Sequence, residues 1–202
     1  MTQVAIIDYG VGNLRSVEKA LDATGCAAVV SSNVEVLRKA ERLVLPGVGA
    51  FGACMNALTE RGFDELVLER VSEGTPLLGV CVGMQMLFEE SEEFGTSHGL
   101  GLLRGRVHRF SADLLVPQVG WNQIRQRVAH PLFEGIEDGA FFYFVHSYYC
   151  EPVAAEVILG ETDYGVAYAS VVARQNLFGV QFHPEKSQTA GLRLLSNFAR
   201  VG

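Results

Sequence analysis

Four short apolar runs, at residues 4–7, 27–30, 43–45 and 77–80, alternate with amphipathic stretches over the first part of the chain. Each run is too short for a buried helix and too continuously apolar for a half-exposed strand. Each therefore predicts a strand, the run at 4–7 one covered on both faces. Strands of this kind separated by helices predict a parallel sheet, because parallel neighbours need a crossover and the crossover helices provide the cover. Leu14, Val17, Ala20 and Leu21 give the first helix its apolar face, with Asn13 placed to cap it and Gly25 to end it. Further helices are expected over 32–40, 52–60, 63–73 and 82–89. Beyond residue 100 the pattern changes to strand-like runs between short turns, at 107–110, 121–125, 141–149, 155–161, 165–172 and 177–182, before a last helix at 190–198. The expected fold class is α/β: a central, mostly parallel sheet flanked by helices, with antiparallel additions in the C-terminal half. No linker or repeat divides residues 1–202, so a single domain is expected.

Composition narrows the partners. The 202 residues carry a net charge of −7, with 14 acidic and 7 basic side chains in residues 1–100 and 9 of each in 101–202. Nucleic acid and anionic membrane reward clustered Lys and Arg, so neither is an expected partner. The run Glu89, Glu90, Glu92, Glu93 predicts a solvated helix end. No apolar run approaches the roughly 18 residues of a membrane span, and the N-terminus lacks a basic segment, so it predicts a first strand rather than a signal peptide. Cys26, Cys54, Cys81 and Cys150 are 28, 27 and 69 residues apart, which provides no paired spacing for zinc or redox chemistry. A reduced, cytoplasmic protein with no metal and no cofactor is expected.

One cysteine stands apart. Gly79-Val80-Cys81-Val82-Gly83 follows a buried strand and opens a helix, which is the setting of a nucleophile elbow. The sharp turn holds the nucleophile out, the flanking glycines remove Cβ atoms that would clash, and the free N–H groups of the helix start favour an anion there. An unassisted thiol is only a few per cent thiolate at neutral pH, so such a nucleophile also needs a base. Of five histidines, His183 is best placed. It follows an apolar strand, Pro184 forces it into an extended conformation, and Glu185 then points to the same side to receive its Nδ1–H. His146 shares a face with Phe144 and fits a packed core histidine. Acyl transfer also needs oxyanion donors. The Val82 N–H is one, and the loop Pro46-Gly47-Val48-Gly49 at a neighbouring strand end is placed to supply the other.

Gly-Val-Cys-Val-Gly-Met-Gln (79–85), Pro-Gly-Val-Gly (46–49) and Gln-Phe-His-Pro-Glu-Lys-Ser (181–187) resemble the motifs of class I, triad-type glutamine amidotransferases. Asp-Tyr-Gly-Val-Gly-Asn (8–13), Pro-Gln-Val-Gly-Trp-Asn (117–122) and Phe-Tyr-Phe-Val-His-Ser-Tyr (142–148) are similar to those of the glutaminase subunits that serve histidine biosynthesis. Val82 stands where Leu is common and Val119 where Met is common, both apolar exchanges. The resemblance implies that Cys81 attacks the side-chain amide of glutamine, His183 shuttles the proton, and Glu185 orients His183. It implies that Gln85, Gly49 and the backbone around Ser147 and Tyr148 hold the glutamine. It also implies that ammonia passes to a separate (β/α)8-barrel cyclase subunit of the HisF type. Asn13, Trp121, Tyr143 and Lys186 are the candidates for the surface facing it. That cyclase would convert PRFAR to imidazole glycerol phosphate and AICAR. The free chain is then expected to be a poor glutaminase, its Gly47–Gly49 peptide turned from the oxyanion. A glutaminase of another pathway is an alternative that the 8–13 and 117–122 segments argue against, and a cysteine peptidase on a similar sheet is one that labelling of Cys81 by glutamine analogues would separate.

Overall fold

The computed structural model describes residues 3–201; Met1, Thr2 and Gly202 lie outside the description. The first half runs β1 (Gln3–Ile7), α1 (Leu14–Asp22), β2 (Ala27–Ser31), α2 (Val34–Lys39), β3 (Arg42–Gly47), α3 (Phe51–Glu60), α4 (Phe63–Ser72), β4 (Leu77–Cys81) and α5 (Val82–Gln85). The second half runs β5 (Phe88–Ser91), β6 (Ser97–His98), β7 (Leu103–Arg109), β8 (Gln118–Gln123), β9 (Arg125–Gln126), β10 (Phe141–His146), β11 (Tyr148–Pro152), β12 (Ile158–Asp163), β13 (Ala167–Arg174), β14 (Leu177–Val180) and α6 (Gln188–Phe198).

The main sheet has the order β2-β1-β3-β4-β14-β13-β11-β7-β5-β6, with β12 and β9 attached beyond β13. Its β2-β1-β3-β4-β14 block is parallel, and β13, β11 and β7 extend it antiparallel. The four apolar runs read from the sequence are β1 to β4, of which β1, β3 and β4 are buried on both faces. Val17, Ala20 and Leu21 pack α1 onto this block. Asn13 stands at the N-cap of α1, but its side chain accepts from the Ser16 hydroxyl (2.9 Å) instead of a backbone N–H. No helix among the described residues is long and apolar enough to cross a membrane.

Three expectations change. The helix after Cys81 is a single turn, Val82–Gln85, not a helix to residue 89. Met86, Leu87 and Phe88 are buried on every side and lead into β5, which pairs parallel with β7. The acidic run is accordingly no solvated helix end. Glu89 accepts from Gly105 N, Glu90 pairs with Arg106, Glu92 accepts from Arg109 N, and Glu93 accepts from Phe51 N. The run at 141–149 is two strands in two sheets. β10 pairs only with β8 in a separate two-stranded ribbon, and after Ser147 the chain enters the main sheet as β11.

Candidate active site

Cys81 ends β4 with φ 56° and ψ −114°, a conformation that L residues avoid, and its side chain is buried. Glycine sterics hold it there. A Cβ at Gly79 would stand 2.6 Å from Gly83 O, one at Gly83 would stand 1.9 Å from Leu45 O, and one at Gly47 would stand 2.6 Å from Gly83 N. The turn after Cys81 is thus pressed against the ends of β3 and β4 by three backbones in mutual contact. With only one helical turn following, the dipole available at Cys81 is smaller than a full helix would give.

The loop at 46–50 lies beside this turn and is tied down from below. The buried Tyr9 hydroxyl donates to Pro46 O (2.6 Å), and the Cys54 thiol donates to Val48 O (3.3 Å). Burial pushes the Tyr9 phenol and the Cys54 thiol up, so both keep their protons. A trans peptide turns its N–H opposite to its C=O, so the Gly49 N–H points away from Cys54. Gly49, at φ +90°, needs its freedom for conformation, whereas Gly47 needs it for space.

From the other side come His183 and Glu185. His183 is extended (φ −97°, ψ 97°), and its Nδ1 lies 2.9 Å from Glu185 Oε1. The Glu185 carboxylate is fully buried, with Oε2 unpartnered among the described residues. Burial opposes charge on His183, but its hydrogen bonds to Cys81 and Glu185, and the charges of both, outweigh it and raise the imidazole to about 10. Ser187 fixes this segment: its hydroxyl donates to His183 O (2.7 Å) and accepts from Tyr143 N (3.0 Å), while His183 N donates to Tyr143 O (2.9 Å).

Cys81 and His183 meet in a cavity of about 300 Å³, whose lining includes Val48, Gly49, Val82, Gln85, Glu93, Pro117, Ser147 and Tyr148. Gln85 donates to Tyr148 O and to Gln181 Oε1, both at 3.1 Å, and Gln181 in turn lies 3.8 Å from the Cys81 sulfur. Of the four residues expected on an outer surface, three cluster. Tyr143 faces Trp121 across the β8–β10 ribbon, the rings 6.1 Å apart, and Lys186 Nζ lies 5.7 Å over the Tyr143 ring. Asn13 makes its side-chain bond within its own helix start, accepting from Ser16. Sequence reasoning missed Glu93, Gln181, Ser187 and Pro117. Gln181, Ser187 and Pro117 stand within the motifs at 181–187 and 117–122 but have no role assigned there, and Glu93 is absorbed into an acidic run. No group of three or more His, Cys, Asp or Glu among the described residues is arranged to hold a metal ion.

An elbow cysteine, a histidine held by a buried carboxylate and a glycine loop over one cavity define the class, and the comparisons agree. The model for "Glutamine amidotransferase class-I" matches residues 5–201. A solved structure described as a glutamine amidotransferase superposes with a TM-score of 0.77 at 23% identity, covering 98% of this chain and 99% of that one. PurLQS from Thermotoga maritima gives 0.78 at 17%, covering 98% and 97%. The chain belongs to the class-I glutamine amidotransferase family. Within it, the relatives are HisH subunits of imidazole glycerol phosphate synthase. That of Syntrophotalea carbinolica is 50% identical over 96% of this chain and 98% of that one, and that of Geobacillus thermodenitrificans is 48% identical over 100% and 97%.

Proposed function

We propose that this chain, as a single domain of the cytoplasm, hydrolyses glutamine to glutamate and ammonia and hands the ammonia to a HisF-type (β/α)8-barrel cyclase in a heterodimer, for histidine biosynthesis. The observation that carries the reading is the meeting of the strained Cys81 with the His183–Glu185 pair over one cavity.

Within the pair His183 holds the proton that leaves the Cys81 thiol, and the Cys81 sulfur attacks the side-chain carboxamide carbon of glutamine. The oxyanion that forms is received by backbone N–H groups of Val82 and of the 47–49 loop. Collapse breaks the C–N bond, and His183 returns its proton to the leaving nitrogen, which departs as ammonia. Water, deprotonated by His183, then opens the thioester to glutamate and restores the thiol. Glu185 holds the imidazole in the orientation that leaves Nε2 toward sulfur and stabilises its positive charge. Gln85 and the backbone at Ser147 and Tyr148 hold the substrate. Among the lining residues only Glu93 carries a carboxylate, which suits the ammonium of an amino acid.

The outer face of the β8–β10 ribbon supports the partner reading. Val119, Trp121 and Phe141 are 60%, 45% and 54% exposed on one continuous surface beside Tyr143 and Lys186. Because Tyr143 is bonded through its backbone to His183, this face adjoins the reacting groups. The test is glutamate release by the wild type and Cys81→Ala, with and without the cyclase and PRFAR, together with labelling by 6-diazo-5-oxo-norleucine. The wild type is expected to be slow alone, faster with the liganded cyclase, and labelled at Cys81. Full hydrolysis by Cys81→Ala would falsify the reading.

A further inference from the structure

A buried row of polar side chains that the proposed reaction does not use runs inward from the cavity, whose lining it joins at His146. Gln118 on β8, Tyr168 on β13 and His146 at the end of β10 are 2%, 3% and 6% exposed. The Tyr168 hydroxyl lies 3.1 Å from His146 Nε2 and 3.0 Å from the near atom of the Gln118 amide. His146 Nδ1 lies 2.7 Å from Tyr148 O, the same carbonyl that Gln85 reaches from the cavity. Thus Tyr148 O is held by two side chains, Gln85 and the His146 that ends this row.

Counting hydrogens fixes the direction of the row. A carbonyl only accepts, so Nδ1 of His146 carries the proton. Burial lowers His146 to about 4, against the help of the Tyr148 carbonyl, so the imidazole is neutral and Nε2 must accept. The single Tyr168 hydrogen therefore goes to Nε2, and nothing remains to donate to a Gln118 oxygen. The amide must instead present its NH2 to Tyr168. This orientation gives the buried Gln118 NH2, which otherwise stands without an acceptor, the Tyr168 oxygen, and turns the amide oxygen to the place the NH2 held. Phe110, Phe144 and Tyr168 pack against the imidazole, and His183 is the charged group that acts on it.

We infer that Gln118, Tyr168 and His146 form a one-way donor chain, Gln118 to Tyr168 to His146 to the Tyr148 carbonyl, and are positioning residues that set the glutamine-holding segment at Ser147 and Tyr148. The inference rests on the glutaminase reading for its ligand, but its proton arrangement stands on the hydrogen-bond geometry and the burial of His146. Uniform loss of a substrate contact raises KM and leaves kcat in place, and losing one net hydrogen bond corresponds to roughly a fivefold change.

The test joins two measurements on the full chain. Side-chain ¹⁵N NMR of the wild type is expected to show His146 as a neutral imidazole with its proton on Nδ1, unchanged between pH 8 and pH 5. Glutamate release by Tyr168→Phe, assayed with the cyclase present, is expected to show KM for glutamine raised about fivefold with kcat within about twofold. Tyr164→Phe, which removes a hydroxyl bonded to Leu115 O at the exposed rim, serves as the control and keeps the wild-type KM. An Nε2–H tautomer overturns the inference even if the variant fails to fold. A wild-type KM in a folded Tyr168→Phe overturns it while leaving the glutaminase reading intact. Absence of hydrolysis by the wild type overturns that reading instead.

Discussion

The two walls of the cavity are built by different physics. The sulfur side, from β3, β4 and the turn after Cys81, is held by backbone pressed on backbone at Gly47, Gly79 and Gly83. The base side, from β10, β11 and the segment after β14, is held by side-chain hydrogen bonds through Glu185, Ser187, His146 and Tyr168. Steric contact is all-or-none and indifferent to pH. Hydrogen bonds between titratable groups are graded and answer to pH. The proposed nucleophile is therefore placed once, by folding, while the groups proposed to move protons remain tunable.

The sharpest way to break the steric wall is Gly83→Ala. Its Cβ would meet Leu45 O at 1.9 Å, and that atom is backbone in a buried strand, so nothing flexible can give way. The expected cost exceeds about 3 kcal/mol, seen as loss of folded protein or a large fall in urea midpoint. A Gly83→Ala chain as stable as the wild type would mean that the wall is not held as described. Glu185→Gln attacks the other wall. It keeps the shape but removes the charge that favours the imidazolium, and its amide must offer either a weaker acceptor or a wrong donor to Nδ1. Glutamate release should drop by roughly 10²–10⁴-fold with the fold retained, as circular dichroism would verify.

The pH contrast comes next in size. His146 has its folded pKa lowered to about 4, below the roughly 6.5 of an unfolded histidine. The unfolded chain therefore binds more protons over that interval. Its contribution is fully present above pH 6.5 and is lost as pH falls toward 4, about 3 kcal/mol in all. Urea unfolding from pH 7 to pH 4 should show this loss, with a flatter slope in His146→Gln. An identical slope in that variant would assign the acid sensitivity elsewhere. His183, raised to about 10, should hold its second proton through the same interval in side-chain NMR.

The two walls also differ in how far the sequence discloses them. The elbow is local: an apolar run, a cysteine between glycines and a following turn stand within a few residues, so strand, strain and nucleophile are all legible. His183-Pro184-Glu185 is local too, although the extended triplet expected there is a 3-10 turn, Pro184–Lys186, that starts at the extended His183 and brings Glu185 to the imidazole. What failed to show was long-range. Met86 to Phe88 are apolar on every side, and periodicity cannot separate a short buried helix from a strand entry. The break at Ser147, which moves the chain from one sheet to another, leaves no mark in an unbroken β-prone run. Glu93 and Ser187 act on residues 42 and 44 positions away, at Phe51 N and Tyr143 N, and no local pattern announces such a partner.

Ser187 gives the smallest test and the one closest to the boundary between the walls. Its hydroxyl donates to His183 O and accepts from Tyr143 N, so it joins the base to the strand that carries the outer aromatic face. Ser187→Ala removes both bonds but no charge, and leaves one buried N–H and one buried C=O poorer in partners. The cost to stability should be about 1–3 kcal/mol. If Ser187 only fills space, kcat with the cyclase present should match the wild type. If it holds His183 in register with the ribbon, kcat should fall several-fold while KM for glutamine stays near the wild-type value, because the segment at Ser147 and Tyr148 proposed to hold glutamine is fastened separately. Ser187→Thr, which keeps the hydroxyl, should recover the bonds and most of the rate if the extra methyl is accommodated. The combined pattern separates a base that is merely buried from one that is steered by the ribbon beside it.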